Sequence, residues 1–449
     1  MADFQWQCHP NSEKILLQVV NDCCDVNTDI AKLREELLKK TSTRLFDWLD
    51  HVIIPYSEQI EVQLTKDGFA SESTAAQYRV LHHPGAQFPR VVFSDNQAAP
   101  LGLAITVDSI SDFLSVHGLH REIEGSPFSL YRRCCVFCDG SANFWVVERR
   151  GSSTMEPTNT DDKAIRNYLM ATELWQTRPR NLLDEDAAIK RTIVVVEEMI
   201  KLVGETLSAW IVLECERKYW QLRNSAGQIQ KNRQDRLGMG WANHDHHTFR
   251  SSRKYFGSLI RLFEMLGFTC RERFYAGQEA GWGAQVMVHR ECRLVLFLDV
   301  DLQSHEIQID YRHQELPELP HLHTVGLWCG LHGDSILQAG MHHLEAQFMF
   351  DDLKTDLVSS GIEMMEPFSN FPFLRQAFTK GEMWHVNPER VEKLLAQGFI
   401  SQEKADKFLK HGAIGSHMEN LQRREGYKGF NQQNVSTIIQ RTDPRNINF

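Results

Sequence analysis

Four times along this chain an apolar run of helical character stops at a glycine followed at once by a large apolar residue. The stops are Gly68-Phe69, Gly118-Leu119, Gly267-Phe268 and Gly361-Ile362. Glycine suits the left-handed cap that closes a helix, and the next apolar side chain folds back onto the last turn. A short apolar strand precedes each of these helices and further strands follow. The chain therefore reads as α+β, built from repeated βαβββ modules.

The first unit opens at Asp50-His51-Val52-Ile53-Ile54, with Ser57 as N-cap ahead of Glu58, Ile60, Val62 and Leu64. Its later strands read as 78–81 and 90–93. The second opens at Leu103 to Val107, is capped by Asp108 or Ser109, and runs through Phe113 and Leu114. Its strands, 134–137 and 144–147, flank an Asp139-Gly140 hairpin signal. In the third, Tyr255, Phe256, Leu259, Ile260, Leu262, Phe263 and Leu266 recur at helical spacing, and strands follow at 285–288 and 293–299. The fourth has Phe350, Leu353 and Leu357 on its helix, with later strands expected at 371–378 and 382–386. These signals divide the chain into an N-terminal module pair (44–150), a mainly helical connector (151–236), a C-terminal pair (237–390) and a helical, irregular tail (391–449). The tail reads as a wrapping segment or a lid.

Composition narrows the function. At 449 residues and 42% hydrophobic, the chain is long enough for several cores. A net charge of -10 and a pI near 6.1 argue against general nucleic-acid binding. No apolar run is long enough to span a membrane, and the first residues lack signal-peptide character, so a cytoplasmic location is expected. Ten cysteines in this length do not make a disulfide framework. Cys135 and Cys138 form one CxxC without a second pair for zinc, so buried free thiols are the preferred reading.

Two histidine clusters stand at matched places in the repeat. Asn243-His244-Asp245-His246-His247-Thr248-Phe249-Arg250 opens the third unit, and Met341-His342-His343-Leu344-Glu345 opens the fourth. Histidines at the starts of equivalent strands can reach one metal ion, and neutral imidazole suits iron, zinc, nickel or copper. Strand alternation predicts that His244 and His246 face one way and His247 the other. His246 and His343 are the ligand candidates, against a purely hydrogen-bonding role. Asp299, ending the third unit, and Glu382, late in the fourth, are the candidate carboxylates, each against the reading of a solvated turn acid. Arg250 can grip a substrate carboxylate, pair with Asp245 or stack on a neighbour, and Arg375 is a second clamp candidate. His51 repeats the Asp-His start, but Pro55 stands where an Arg would be, and Leu101-Gly102 offers no ligand, so the N-terminal pair reads as scaffold. His321, His323 and His332 read as loop or surface histidines, with acid/base roles as the alternative.

Paired βαβββ units resemble the vicinal-oxygen-chelate superfamily, which includes glyoxalases and extradiol dioxygenases. Modules of that superfamily pair into half-barrels around one divalent metal, with ligands from the first and last strands. Asp245-His246-His247-Thr248-Phe249-Arg250 and His343-Leu344 also resemble motifs of the 2-oxoadipate dioxygenase/decarboxylase family. The resemblance implies Fe(II), or another divalent ion, on His246 and His343, and Arg250 on a substrate carboxylate. Its third ligand is a Glu in a Leu-Glu-Gln-x-x-Thr stretch. Here that stretch reads Leu374-Arg375-Gln376-Ala377-Phe378-Thr379, with Arg in place of the Glu. Glu382 or Asp299 then has to replace that carboxylate, or the site has changed. The expected partner is a small-molecule carboxylate substrate, a 2-oxo acid or similar chelator. The expected activity is a non-haem Fe(II) dioxygenase/decarboxylase. A redox-neutral metal lyase or isomerase, and a non-catalytic small-molecule or protein-binding member, stand as alternatives.

Overall fold

The computed structural model describes residues 6–72, 78–138, 142–182, 184–430 and 445. The Asp139-Gly140 turn lies outside the described residues, as does nearly all of the chain after Phe430. All four glycine stops close helices: Glu58–Lys66, Ile110–Val116, Arg253–Met265 and Phe350–Ser359. Each glycine has positive φ. The amide after it donates back to the helix: Phe69 to Leu64 O, Leu119 to Leu114 O, Phe268 to Phe263 O and Ile362 to Leu357 O. Orphan carbonyls are thereby satisfied at each helix end. Ser57 and Ser109 cap the first two helices. Asp108 instead accepts from the Trp241 amide.

The first sheet holds β1 (Leu49–Pro55), β2 (Ala70–Glu72), β3 (Arg79–His82), β4 (Arg90–Ser94), β5 (Leu101–Thr106), β6 (Tyr131–Cys138) and β7 (Ala142–Arg149). Their order is β2-β3-β4-β1-β5-β7-β6. The first unit is βαβββ, with β1 parallel to β4. The second falls one strand short. Only an isolated bridge, Glu124 to Arg133, stands where its middle strand would begin. Gly125 with positive φ and Pro127, which has no N–H to donate, stop that ladder. Two helices that sequence patterning left unassigned, Pro10–Val26 and Thr28–Thr41, cover this sheet. Asn27 joins them, capping the second through the Asp29 and Ile30 amides and donating to Ala142 O. Cys135 and Cys138 are joined by a disulfide, which corrects the expectation of free buried thiols there. Cys138 is exposed at the end of β6, not buried.

The connector is four helices, Asp162–Thr177, Glu185–Val203, Glu205–Gln221 and Ser225–Asp235. Trp175, Val196, Met199 and Val212 share one core with Phe256, Leu259 and Phe263 of the third unit's helix. No described helix is long and apolar enough to cross a membrane.

The second sheet holds β8 (His244–Arg250), β9 (Thr269–Tyr275), β10 (Trp282–His289), β11 (Leu294–Asp301), β12 (His343–Gln347), β13 (Ser369–Phe371), β14 (Leu374–Phe378), β15 (Glu382–Trp384) and β16 (Ala413–Arg423). The order is β13-β14-β16-β12-β8-β11-β10-β9, with β15 paired to β16. First and last strands of each unit are parallel, β8 with β11 and β12 with β16, and the units meet where β12 runs antiparallel to β8. Two expectations are corrected here. The 371–378 strand is a hairpin of two strands, and 382–386 is only the short β15. The chain after 391 is not a tail. Helices Pro388–Ala396 and Gln402–His411 lead into β16, which completes the fourth unit, so the C-terminal pair runs to Arg423 rather than 390.

His51 is buried in an ion-pair network of the first sheet. Its Nδ1 lies 2.7 Å from Asp50 Oδ2, and Asp50 in turn pairs with Arg149. We expect His51→Ala to leave metal stoichiometry unchanged. Loss of one equivalent in elemental analysis of that variant would reveal a site in the N-terminal sheet.

Candidate metal centre

Alternation along β8 sends His247 and Phe249 into the core and His246 and Thr248 to the opposite face. His247 Nε2 lies 3.1 Å from Arg217 Nη1. Thr248 Oγ1 and His343 Nε2 lie 2.8 Å apart. His343 and Glu345 share a face of β12, and the parallel register sets His417 and Glu419 of β16 beside them. His246, His343 and Glu419 thus converge, with one potential ligand atom from each within 4.8 Å of the others. His343 Nε2 is 3.0 Å from Glu419 Oε2. Asp245, His246 and Glu345 form a second such group, with His246 Nδ1 against the Glu345 carboxylate and 3.3 Å from Asp245 Oδ1.

The electrostatics suit a bound cation. Burial pushes the Glu419 carboxyl up to about 7, and burial together with the charge of Glu419 drives Glu345 well above its usual range. Burial holds His343 well below its ordinary value, and Arg250 and His246 add to this. Neutral imidazole is the ligating form, and a divalent ion would return the carboxylates to their charged form. His343 Nδ1 has no hydrogen-bond partner. Such an atom is costly to bury unless something binds it. The two-histidine, one-carboxylate donor set fits Fe(II) and similar divalent ions. On β11 the position facing the cluster is Phe297, whose ring lies 4.6 Å from that of His246, so this strand adds no ligand.

Asp245 is the orienting group behind His246. Burial opposes its charge, but Arg423 holds it below the usual carboxylate range, and Gln87 donates to it over 2.8 Å. Arg423 also donates to the Tyr427 and Gly429 carbonyls. That tether lays Phe430 over His246, with ring centroids 5.1 Å apart. A cleft of about 1010 Å³ lies apart from the cluster, lined by Tyr219, Arg223, Asp334, Gln338 and Arg390 among others, and no cluster side chain borders it.

Of the residues singled out from sequence, the structure brings together His246 and His343 but not their proposed carboxylates. Asp299 lies outside the cluster, with its Oδ2 3.7 Å from Arg250 Nε. Burial pushes it up to about 7, against the pull of Arg250. Glu382 is half-buried on β15, where it accepts from the Ser225 and Ala226 amides. A helix N-terminus attracts a carboxylate by its unpaired amides and dipole. Arg375 points to the outer face of β14, pairing with Asp351 at 2.7 Å, so it is not a clamp. Its neighbour Gln376 faces inward and donates to Glu419 over 3.2 Å. Arg250 is buried near the cluster, its guanidinium 5.5 Å from the Trp328 ring, and it does not pair with Asp245, which belongs to Arg423. His244 does not share His246's face. Its ring turns to His247, 5.2 Å away, because its amide and Nδ1 both lie against Trp241 O at the strand's start. His332 is buried at a helix end, with Nε2 3.0 Å from Ile414 O, rather than on the surface. His323 is part-buried, its amide donating to Asp301, and His321 is exposed.

Glu419, Glu345 and His417 were missed as site residues. The signal for Glu345 was its place two residues after His343, on one strand face. His417 and Glu419 show the same spacing, but in a segment that did not read as a strand.

No family model matches the chain, and no curated protein matches it by sequence. Solved structures are similar in outline. A putative hydrolase from Shewanella frigidimarina is 15% identical, covering 48% of this chain and 94% of its own, with a TM-score of 0.33. A triple mutant of 4-hydroxymandelate synthase from Streptomyces coelicolor is 11% identical over 89% and 98%, with a TM-score of 0.29. Methylmalonyl-CoA epimerase from Mycobacterium tuberculosis is 11% identical over 41% and 89%, with a TM-score of 0.23. Likenesses this distant say nothing about the chemistry of this site. The strand order defines the class: two βαβββ units, each with parallel first and last strands, joined through their first strands. That is the vicinal-oxygen-chelate fold.

Proposed function

We propose that this protein is a divalent-metal-dependent enzyme that oxidises a small 2-oxo acid or similar chelating carboxylate, with Fe(II) as the metal. The observation that carries this reading is the convergence of His246, His343 and Glu419 from the first and last strands of paired units, with Phe297 in the fourth position. Two histidines and one carboxylate would hold the ion and leave coordination positions open, as in non-haem iron oxygenases. When bound, the ion supplies Lewis acidity and a template for a chelating substrate and dioxygen. Asp245 holds His246 in orientation, as outer carboxylates do for ligating histidines. Phe297, Phe430 and Phe378 surround the cluster's histidines and keep water out. Arg250 supplies a fixed cation for the substrate's carboxylate, exchanging Asp299 for it. The carboxylate that the sequence lacked at Arg375 comes from Glu419, which removes the motive for a non-catalytic reading.

Glu345 favours a second reading. It is a fully buried carboxyl that the ligand set does not require. Beside a chelated substrate it could carry a proton, which is what a redox-neutral isomerase or lyase of this fold needs.

Oxygen uptake by protein reconstituted with Fe(II), across a panel of 2-oxo acids and 2-oxo dicarboxylates, separates the two. Substrate-dependent uptake supports the first reading. Exchange of substrate protons with solvent and no uptake selects the second. Arg250→Lys is expected to keep the metal and to weaken binding of the active acid by tenfold or more, about 1.4 kcal/mol, because Lys cannot reproduce the guanidinium fork. Unchanged affinity by calorimetry on the metal-loaded protein would assign Arg250 to the scaffold.

A further inference from the structure

Beside the mixed cluster lies a group made of imidazole alone. His342, His343 and His417 place one ring nitrogen each within 4.8 Å of the others, and all three are buried. The parallel register sets His343 directly beside His417, with ring centroids 5.0 Å apart. His342 reaches the same place from the turn before β12, its ring 4.6 Å from His417. Its Nδ1 lies 3.1 Å from Gly415 O and so carries the proton, which leaves Nε2 a bare lone pair. That Nε2, His343 Nδ1 and both nitrogens of His417 have no hydrogen-bond partner. Single unpaired ring nitrogens are buried elsewhere, at His82, His247 and His289, but here four stand together. His332 and His244 each meet a backbone carbonyl. Leaving a buried polar atom unpaired forfeits its hydration without return, so several in one place call for something that binds them. Water is a weak answer, because the rings of Phe378 and Trp328 wall the group, 4.1 Å from His417 and 5.3 Å from His342.

We propose a second cation site, formed by His342, His343 and His417, that takes a borderline divalent ion of the zinc or copper type. An all-nitrogen set without carboxylate suits those ions better than magnesium or calcium. His343 belongs to both sites. Its Nε2 faces Glu419, and its Nδ1 is the nitrogen left over. One ring would serve two ions by giving up the single ring proton of its neutral form and bridging them as imidazolate. That places the ions roughly 6 Å apart, given metal–nitrogen bonds of about 2.0–2.1 Å. The released proton leaves to solvent on loading, so metal uptake at fixed pH liberates acid.

Zn²⁺ titration of metal-free full-length protein tests this, read by equilibrium dialysis and by proton release. Two equivalents are expected in the wild type, and saturation at one that the His342→Ala, His417→Ala double variant retains overturns the proposal. His342→Ala with His417→Ala is expected to hold one equivalent, and survival of both equivalents in that variant also overturns it. His246→Ala is expected to remove the other equivalent. Its failure to do so counts against the mixed site alone and leaves the imidazole site standing. A copper measurement needs no variant. With two equivalents of Cu²⁺ the paramagnetic signal of the wild type is expected to collapse through coupling across His343. Two uncoupled copper signals would rule out the shared ring.

Discussion

Glu419→Ala yields a folded chain whose affinity for a divalent ion at the mixed site falls by more than about 100-fold, beyond the 10–100-fold that outer partners of ligands usually cost. The carboxyl removed is the sole acid among the three converging side chains His246, His343 and Glu419. Folding survives because metal-free protein already holds this group against a strong desolvation penalty. Glu382→Ala and Asp299→Ala provide the contrast. Glu382 caps a helix, and Asp299 sits beside Arg250, so both variants are expected to keep the ion. Calorimetric titration with Fe(II) under anaerobic conditions reads all three. Full affinity in Glu419→Ala would remove it from the ligand set.

Glu216→Ala is expected to lower unfolding free energy by about 3–5 kcal/mol, the usual result of stripping one partner from a buried ion pair. Glu216 is fully buried and accepts from Trp175 Nε1 at 2.8 Å and Arg178 Nη2 at 2.9 Å, and also from Arg180. Without it two guanidinium groups lose their counter-charge, and burial already depresses Arg178 to about 10. The same arginines hold the carbonyls of Ile336 and Leu337. The next residue back, Ser335, accepts from the Arg250 amide over 2.8 Å. The variant should therefore loosen the segment behind Arg250 as well. Urea unfolding measures the first effect, and a loss under about 1 kcal/mol would show that the charges find other partners.

Much of the fold was legible because helix ends are local chemistry. A glycine with positive φ and an apolar residue after it mark a stop whatever surrounds them, and all four marks held. The histidines were legible for the same reason, since each opens a strand beside a recognisable helix. The missing acid was not. β16 reads Ala-Ile-Gly-Ser-His-Met-Glu-Asn-Leu-Gln-Arg, a polar run in which no apolar alternation shows. Nearly all of it is buried, because partners lie on both sides and on both faces. Burial by pairing with β12 and β14 is a long-range fact that no local window contains. The helices Pro388–Ala396 and Gln402–His411 moved it further from its unit, so Glu382 and Asp299 stood nearer to where a ligand was sought. Arg375 failed on parity alone, since one step along β14 exchanges the inner face for the outer.

The position of β16 also bears on how the protein is made. Its residues leave the ribosome after both histidine strands, yet it lies inside the sheet, between β14 and β12. A growing chain thus carries His246 and His343 for some time without the acid that joins them in the cluster. Over that interval β12 and β14 expose unpaired edges, the kind of surface that chaperones cover and that aggregation exploits. Arrival of one strand closes those edges and supplies Glu419 in the same event. An ion held by all three side chains would thus report that the unit has been completed, and a chain cut before Glu419 would be recognisable by both its open sheet and its weak grip on metal.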